Sequence, residues 1–387
     1  MAITPFVLSA LWNAFKQANA PVVFFKIPSR DKIAITAQIP GTVRAGTKDN
    51  TNTPYFIAAP FASRSVHEAT AITGDYYHEI DEQTDIDTLN LPPSIAIIFL
   101  SILTAGQKDT TGNQPQPSHP AHAVSDKRDY ISLVNKARDE IARGSAEKIV
   151  VSRRHTVPID KKNNIIEIFL NAIRSNPSAF STLFHHEQFG TWLGASPELL
   201  LEQIAKNQWR TVALAGTQPY RDGQDLSTVI WNPKEQREQH LVCSHIASKL
   251  NTLHGVTFTE EPPATVKAGN VIHLKSVFTI TTDGQSDATE MLLSALHPTS
   301  AVCGMPGLPA ADFIFANERF NRSLYTGYWG PIGLPCDTGV YVNIRCMQIF
   351  DYNATIYAGA GITAESDPEK EWEETIMKST TMESLLR

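Results

Sequence analysis

The sequence predicts an α+β protein with large, mostly antiparallel β-sheets and helices packed outside them. Two observations lead to this fold class. Apolar strand segments follow one another as hairpins more often than they alternate with helices, which favours antiparallel pairing. Neither a GxGxxG motif nor a phosphate-binding P-loop motif is present, which disfavours a doubly wound nucleotide-binding fold.

Composition is typical of a globular protein and narrows the range of partners. The 387 residues are 42% hydrophobic and 19% charged, and the formal net charge is −7. This charge disfavours nucleic acid as a partner, because binding to a phosphate backbone needs a basic surface. The four cysteines form no CxxC pair, so we expect reduced thiols and a cytoplasmic location. We find no targeting segment and no apolar run near the ~20 residues that a membrane span requires.

The N-terminal part, residues 1 to 103, is predicted to consist of strands between polar turns, in the outer layers of a large sheet. Its strand segments are PVVFFKI, KIAITAQI, YFIAAPF and SIAIIFLSIL. Residues 104 to 126 are polar and rich in Gly, Pro and Ser, which predicts a surface loop. Residues 127 to 387 contain the motifs on which the functional interpretation depends.

Clearer signals begin at Asp126, which is predicted to cap a helix whose apolar spacing continues until Gly144. The next elements are predicted as the strand EKIVVSRRHTV, the helix NIIEIFLNAIRS and strands around STLFHHEQFGTWLGASPELLLEQ and QWRTVALAGT. They are followed by a long helix that ends at 255, the strand SVFTITTDG and the helix ATEMLLSAL. The chain closes with the strands VYVNIRCMQIF and ATIYAGAGI, joined by a tight turn, and a final helix.

Two predicted helices each place two carboxylates on one face. Glu235 and Glu238 are three residues apart in the long middle helix. Glu371 and Glu374 repeat this spacing in the closing helix, and Lys378 follows four residues later. If the helices face each other, they provide the oxygen ligands that Mg²⁺ prefers. The alternative is that both faces are exposed to solvent and form only surface ion pairs.

Glu198 and Lys148 are candidate proton-transfer residues. Glu198 enters a strand beside apolar Leu199 and Leu200, where burial would raise its pKa and keep it protonated as a general acid. Lys148 opens the apolar strand IVVS, where the rim of a core near a metal and arginines would lower its pKa toward that of a usable base. In the simpler interpretation, Glu198 alternates outward on an amphipathic strand and Lys148 is a surface lysine.

Small-residue turns and one arginine suggest a binding site for a small acid. LAGT (214–217) and AGAGI (358–362) would let a ligand approach backbone N–H groups closely. Arg345 is predicted to lie on a largely buried strand, where an arginine needs an anion. Together with Lys378 it would form a clamp for a dicarboxylate.

The ordered segments EKIVVSR, GASPELL, LAGT, KEQRE, LHPTSAVCG, IRC, AGAGI and EWEETIMKSTTM resemble the chorismate-utilising enzymes. This family comprises isochorismate synthases, salicylate synthases, anthranilate synthase large subunits and aminodeoxychorismate synthases. The motifs lie within residues 126 to 387, whereas the first 103 residues match only in general pattern. The resemblance implies a single domain over residues 1 to 387, built of two large packed sheets with flanking helices, which binds chorismate and Mg²⁺ between the middle and closing helices.

The resemblance also implies roles for individual residues. Glu238 and Glu374 would be the principal Mg²⁺ ligands, and Glu235 and Glu371 would be outer carboxylates that hold metal-bound water. The residues that would contact the substrate are Gly216, Thr217, Ala301, Arg345, Gly359 and Lys378.

Within the family, the nucleophile distinguishes the branches. Lys148 is similar to the lysine with which isochorismate and salicylate synthases deprotonate water for attack at C2 of chorismate. Aminodeoxychorismate synthases have a lysine where this sequence has Ala215. The resemblance therefore implies an isomerase, an isochorismate synthase, in which Lys148 is the base and Glu198 protonates the departing C4 hydroxyl. The product would enter menaquinone or siderophore biosynthesis.

Two alternatives stay open at this point. A salicylate synthase performs the same isomerisation and then eliminates pyruvate. A non-catalytic relative would keep the fold as a chorismate-binding or regulatory subunit. No amidotransferase partner is expected, because the ammonia-using branch lacks a lysine at the position of Lys148.

Two positions depart from the family pattern. Gln239 and then His240 follow Glu238, where the family usually has Glu-His. Ser276 ends the segment IHLKS, where the HLxT pattern has threonine. His297 in LHPT matches the family pattern and is also placed to cap a helix end.

Overall fold

The computed structural model describes residues 3–41, 53–61, 69–105, 126–160, 164–268, 271–284 and 287–387. The helices of these residues are α1 (Pro5–Gln17), α2 (Pro93–Ala105), α3 (Lys127–Ala142), α4 (Ile165–Ser175), α5 (Pro233–Asn251), α6 (Ala288–Leu296), α7 (Gly307–Asn317) and α8 (Pro368–Glu383). The strands are β1 (Val22–Lys26), β2 (Ile33–Ala37), β3 (Tyr55–Ala59), β4 (Thr70–Thr73), β5 (Tyr76–Ile80), β6 (Lys148–Pro158), β7 (Phe180–His186), β8 (Gly190–Ser196), β9 (Leu199–Ala205), β10 (Gln208–Pro219), β11 (Val256–Glu260), β12 (Ala264–Ala268), β13 (Val271–Thr282), β14 (Gly304–Met305), β15 (Tyr328–Ile332), β16 (Gly339–Val342), β17 (Cys346–Ile349) and β18 (Asn353–Ile362).

The strands of the described residues form two nine-stranded sheets. The first has the order β14-β6-β18-β17-β8-β7-β1-β2-β5. The second has the order β11-β13-β10-β9-β16-β15-β3-β4, and β12 also pairs with β13. Neighbouring strands run antiparallel, as β6 does with β18 and β10 with β13. The predicted fold class, α+β with large antiparallel sheets and flanking helices, is confirmed.

The two sheets pack on each other through an aromatic core. Phe180 and Tyr341, one from each sheet, stack with ring centroids 4.3 Å apart. Phe184 and Trp329 meet in the same layer. Helices α1, α2 and α4 cover the outer face of the first sheet, α5 and α6 cover that of the second, and α3 and α7 pack on β6 and its neighbours. Because apolar residues cover both faces of each sheet, many strands appear in the sequence as nearly continuous apolar runs.

The prediction that SIAIIFLSIL is a strand is wrong, because these residues lie in α2. The run is apolar on all sides and has no period that distinguishes a helix from a buried strand. Pro93 begins the helix, and proline suits this position because its missing N–H has no helical partner there. The buried face of α2 consists of Ile95, Phe99 and Ile102, at helical spacing. α1 is a second helix in the part of the chain that was predicted to contain only strands.

The other N-terminal strands and the helix after Asp126 are confirmed. β1, β2 and β3 correspond to PVVFFKI, KIAITAQI and YFIAAPF. Asp126 caps α3 by accepting a hydrogen bond from the backbone N–H of Arg128, and Gly144 follows the helix with a φ of 84°. The predicted loop from 104 to 126 lies almost entirely outside the described residues. No helix in the described ranges is both long enough and apolar enough to cross a bilayer.

Two of the places where the chain passes from one sheet to the other are neighbours. β8 of the first sheet leads through Glu198 to β9 of the second, and β16 of the second leads through Arg345 to β17 of the first. The two crossings are joined by backbone hydrogen bonds. The N–H of Ala195 donates to the carbonyl of Arg345 at 2.9 Å, and the N–H of Val342 donates to the carbonyl of Glu198 at 3.0 Å. The fold therefore brings Glu198 and Arg345 together from distant parts of the sequence.

The prediction that VYVNIRCMQIF is one strand is wrong, because the chain changes sheets within this segment. The segment contains the second crossing, so β16 ends at Val342 and β17 begins at Cys346. The predicted pairing of its second half with ATIYAGAGI is confirmed, because β17 and β18 are antiparallel neighbours.

Candidate active site

Lys148 lies at the edge of the first sheet where β6 begins and β18 ends. The register of the two strands places Ile149 opposite Ile362. The Lys148 side chain lies against Gly361, since a Cβ atom on Gly361 would be 2.6 Å from Lys148 Cε and 3.4 Å from Nζ. Glycine at this position therefore leaves the space that the lysine side chain occupies.

Burial and nearby charges determine the protonation of Lys148. The loss of hydration lowers the pKa of its ammonium group. The carboxylates of Glu238, Glu198 and Glu374 oppose this shift, while the positive charge of Lys378 adds to it. These residues come from α5, from the crossing before β9 and from α8, so the structure brings together both proposed proton-transfer residues and one carboxylate of each acidic helix.

Glu198 lies at the crossing before β9 and contacts the segment that follows α6. Its Oε1 accepts a hydrogen bond of 3.1 Å from Thr299 Oγ1. Burial raises the pKa of Glu198, although the Thr299 hydroxyl and the charges of Lys148 and Lys378 oppose the shift. Burial therefore favours the neutral form of both Lys148 and Glu198. Ala301, two residues after Thr299, is exposed in a turn.

α8 presents Glu374 and Lys378 on one face, as the sequence spacing predicts. Lys378 Nζ lies 2.5 Å from Glu374 Oε1 and donates a hydrogen bond of 2.9 Å to the carbonyl of Gly359 in β18. Arg345 Nη1 donates to the carbonyl of Lys378 at 3.0 Å. Burial raises the pKa of Glu371, and the charge of Glu374 acts in the same direction. The helix, β18 and the second crossing are thus joined at this site.

Arg345 is half-buried but does not lie on a strand, contrary to the prediction. Its φ of 50° is in the left-handed region, which is uncommon for residues other than glycine. Burial lowers the pKa of its guanidinium, while Tyr325 and Glu374 oppose this shift. The contact with α8 follows from the crossing geometry rather than from the alternation of side chains along a strand.

α5 begins with a capping box in which Glu235 takes part. Asn232 Oδ1 accepts from the N–H of Glu235 at 3.0 Å, and Glu235 Oε2 accepts from the N–H of Asn232 at 3.1 Å. Gln218 Nε2 in β10 donates to the same Oε2 at 2.9 Å. Gly216 has a φ of 64°, and a Cβ there would lie 3.3 Å from Trp231 and 3.4 Å from Glu235 Cβ. The cap therefore places the start of α5 directly against the LAGT segment, in which the side chain of Thr217 lies outside the described part of the structure. The prediction that LAGT and AGAGI are turns is wrong, because the two segments continue the strands β10 and β18, although the pairing of β10 with β13 shifts register between Ala215 and Gln218.

The two positions that depart from the family pattern contact each other. Gln239 Nε2 donates to Ser276 Oγ at 3.1 Å and to the carbonyl of Ala213 at 3.2 Å, and both side chains are buried. They fix α5 to β10 and β13, one residue after the exposed Glu238. His297 is buried at the C-terminal end of α6, and burial lowers its pKa to about 3.

The carboxylates near Lys148 fit a divalent ion that takes few protein ligands. Within the described residues, no three or more His, Cys, Asp or Glu side chains are already arranged around one metal position. Mg²⁺ commonly uses only one or two protein carboxylates, while water and an anionic substrate complete its octahedron. Glu238 and Glu374 both favour the charged form of Lys148. Glu374 also binds a second cation, because the ammonium of Lys378 forms an ion pair with it.

Sequence reasoning missed three residues that support the site: Thr299, Gln218 and Gly361. The segment AGAGI did contain a signal for Gly361. Residues two apart on a strand face the same side, so Gly361 shares a side with Gly359, a predicted substrate contact. Thr299 lies in the motif segment LHPTSAVCG, but its contact with Glu198 joins residues about 100 positions apart and could not be predicted from spacing. Gln218 had no signal, since the carboxylate that it contacts belongs to another element.

A separate cavity of about 500 Å³ lies on another side of α5. Trp231, Gln239 and Leu274 are among the residues that line it, whereas Lys148 and Glu198 do not. Trp231 also packs near Gly216, so the cavity adjoins the LAGT segment of β10 without forming part of the charged cluster.

Comparison with known proteins places this chain in a family of enzymes. The sequence profile of the chorismate binding enzyme family matches residues 87–387. The chain is 30% identical over 289 residues to the isochorismate synthase DhbC of Bacillus subtilis, an alignment that covers 71% of this chain and 72% of that protein. It is 31% identical over 267 residues to the isochorismate synthase MenF of Escherichia coli, covering 68% and 61% of the two chains.

An anthranilate synthase component 1 from Streptomyces coelicolor has a similar identity of 31% over 274 residues, which covers 67% of this chain and 51% of that protein. The solved structure of Escherichia coli MenF, the menaquinone-specific isochorismate synthase, superposes with a TM-score of 0.74 at 22% identity and covers 98% of this chain and 91% of that one. At this identity the structural match establishes the fold, and it extends over the N-terminal residues that the family profile leaves out.

Proposed function

Since the chain belongs to the chorismate binding enzyme family, we propose that it is an isochorismate synthase, which converts chorismate to isochorismate in a Mg²⁺-dependent reaction. The observation that carries the proposal is the convergence of Lys148 and Glu198 beside carboxylates from two helices. Burial favours the neutral amine and the neutral acid, which are the forms needed for a general base and a general acid.

In the proposed reaction, Lys148 accepts a proton from the water that forms a bond to C2 of the ring. Glu198 gives its proton to the hydroxyl that leaves C4, which departs as water. One water enters and one leaves, so the substrate and product are isomers. After turnover the proton returns from Lys148 to Glu198 by way of solvent, and both residues regain their neutral forms.

Glu238 and Glu374 would hold Mg²⁺, with Glu235 and Glu371 as outer carboxylates. When bound, the ion supplies charge neutralisation and a fixed position for the ring carboxylate. Binding of a dianionic substrate would draw the Lys378 ammonium away from Glu374, because the substrate offers it a second carboxylate.

Arg345 and Lys378 are the proposed cationic contacts of the substrate. Arg345 in the second crossing and Lys378 on α8 are joined by the hydrogen bond from Arg345 to the carbonyl of Lys378, and two neighbouring cations suit a molecule with two carboxylates. The remaining proposed substrate contacts are Gly216, Thr217, Ala301 and Gly359.

Water rather than ammonia is the nucleophile in this scheme, so no amidotransferase partner is needed. The four cysteines are free and buried, which fits the reducing cytoplasm in which we place the reaction.

A product assay on chorismate, with and without Mg²⁺, tests the proposal. Wild-type protein should form isochorismate only with the metal, and Lys148→Ala and Glu198→Gln should each lose about 10²- to 10⁴-fold in turnover while staying folded. Lys206→Ala, at an exposed lysine, is the matched control and should keep full activity. Near-normal turnover in either variant would remove that residue from its role.

The same assay separates the alternatives. Accumulation of salicylate together with pyruvate would identify a salicylate synthase instead. A folded protein that binds chorismate but does not consume it with Mg²⁺ would identify a non-catalytic relative.

A further inference from the structure

Arg153 is a buried cation that the proposed reaction does not use. The residue is 3% exposed, and within the described residues no carboxylate lies within ion-pair distance of its guanidinium. Arg322, the other deeply buried arginine near β6, is instead paired with Glu318 at 2.6 Å. A buried guanidinium without an ionic partner is costly unless its surroundings compensate it, so the groups around Arg153 must supply that compensation.

Arg153 makes its side-chain hydrogen bonds and its cation–π contact with α8, while Tyr130 and Tyr325 interact with its charge from other elements. Its Cζ lies 4.5 Å from the ring centroid of Trp372. Its Nε donates to Thr375 Oγ1 at 2.6 Å, and its Nη2 donates to Ser379 Oγ at 3.4 Å. These three residues lie on one face of the helix, at spacings of three and four. α8 therefore packs on β6 through a guanidinium, an aromatic ring and two hydroxyls.

Each proposed functional residue of α8 lies one sequence position before a residue of the face that contacts Arg153. Glu371, Glu374 and Lys378 directly precede Trp372, Thr375 and Ser379 in the sequence. One residue corresponds to a rotation of about 100° around the helix axis, so the axial rotation of α8 decides where both carboxylates point. Catalytic constellations tolerate only about 10–20° of misorientation.

Apolar contacts hold the two ends of this face of α8, where Trp372 packs against Tyr130 and Met382 lies in the core. The buried residues of α8 are Thr375, Ser379 and Met382, and the two hydroxyl residues offer little apolar surface for ridges and grooves. Between these ends, the contacts of Arg153 are directional, because the planar guanidinium fixes both the stacking and the hydrogen-bond directions.

We infer that Arg153 is a positioning residue, which orients α8 so that Glu371, Glu374 and Lys378 face Lys148. The inference rests on the proposed function, since it assigns a device that places proposed metal ligands. Arg153 itself touches neither substrate nor metal in this scheme.

Calorimetric titration of the full chain with Mg²⁺, in the presence of chorismate in the inactive Lys148→Ala background, tests the inference. Arg153→Lys keeps the charge but loses the planar fork, and Arg153→Met keeps the stem but loses the charge. Both should weaken Mg²⁺ binding by about 10- to 100-fold, as is typical when the support of a metal ligand is removed. Arg154→Lys is the matched control, because Arg154 is the next residue of β6 and stacks on Phe320 instead; it should leave the dissociation constant unchanged.

Thr375→Val provides a second route that keeps the buried arginine. It removes the acceptor of the Arg153 Nε hydrogen bond and should weaken Mg²⁺ binding by less than Arg153→Lys does. The double variant should bind Mg²⁺ no more weakly than Arg153→Lys alone, because both changes disrupt one contact.

The outcomes distinguish this inference from the proposed function. Arg153 variants that are folded and bind Mg²⁺ as the Lys148→Ala parent does, even with a lower melting temperature, would reduce Arg153 to a structural residue and overturn the inference alone. Absence of Mg²⁺ binding in the parent itself would overturn the proposed function, and the inference with it.

Discussion

α5 and α8 contain carboxylates at the same spacing, but different contacts hold the two helices in place. α5 begins in a capping box, and the neutral amide of Gln239 joins it to β10 and β13. α8 packs two hydroxyls and an aromatic ring against the cation of Arg153. In both helices, the residue after a principal carboxylate forms a hydrogen bond to the sheet.

Equal sequence spacing of the carboxylates in α5 and α8 therefore does not imply equal tolerance to substitution. A neutral amide can be exchanged for another neutral group at modest cost, because little desolvation of charge is involved. Loss of the partners of a buried cation leaves that charge uncompensated. We therefore expect the α8 side of the site to be the more sensitive one.

The largest expected effect is common to both helices. Glu238→Gln and Glu374→Gln keep the side-chain size but remove the charge, and each should reduce Mg²⁺-dependent kcat/KM by on the order of 10³-fold, because several kcal/mol of charge stabilisation are lost. Glu373→Gln, at an exposed carboxylate of α8, is the control. A Glu238→Gln enzyme with near wild-type rates would show that α5 contributes no metal ligand and that the two helices are not equivalent.

A smaller effect is expected where Lys148 lies against β18. Gly361→Ala would place a methyl group on the lysine side chain, because the new Cβ would lie 2.6 Å from Lys148 Cε. The amine should shift, and kcat should fall by about 10²-fold with little change in Mg²⁺ affinity. Gly307→Ala is the matched control, because no atom lies within 4 Å of its Cβ position. Unchanged kcat in Gly361→Ala would argue against a precise placement of Lys148.

Substitution of the outer carboxylates directly tests whether the two helices differ in their sensitivity to change. Glu371→Gln should weaken Mg²⁺ binding about tenfold, because it removes the charge of a half-buried group beside Glu374. Glu235→Gln should weaken it by less, since glutamine also satisfies a capping box and can accept the contact from Gln218. Calorimetry on both variants checks the order, and a larger loss in Glu235→Gln would reverse the comparison.

The smallest effect concerns stability and its dependence on pH. Burial lowers the pKa of Lys148 in the folded state, so the protonated lysine destabilises the fold at every pH below that folded pKa. The penalty fades as pH rises from the folded value toward the ordinary lysine value, because the native state releases its proton first. Lys148→Met should therefore raise the melting temperature by about 1–3 °C at neutral pH and by less in alkaline solution. Thermal melts at both pH values check the sign, and a lower melting temperature for the variant at neutral pH would contradict it.

The sequence by itself determined the elements whose signals are local. Asp126 and Gly144 bound α3 because capping and left-handed termination depend on a few consecutive residues. The spacing of Glu371, Glu374 and Lys378 on one helix face is likewise a local property, and the ordered motifs identified the family. The fully apolar run of α2 was wrongly predicted because it lacks a period.

How these parts meet depends on the packing of distant segments. The crossings between the sheets place Glu198 beside Arg345, and no pattern in the sequence marks where a chain leaves one sheet for the other. The space for Lys148 over Gly361 and the contact of Arg153 with α8 depend on strand register and helix rotation. Burial depends on every element packed around a group, and the shift in its pKa depends on burial. Helix caps and side-chain spacing, in contrast, depend only on the nearest residues of the chain.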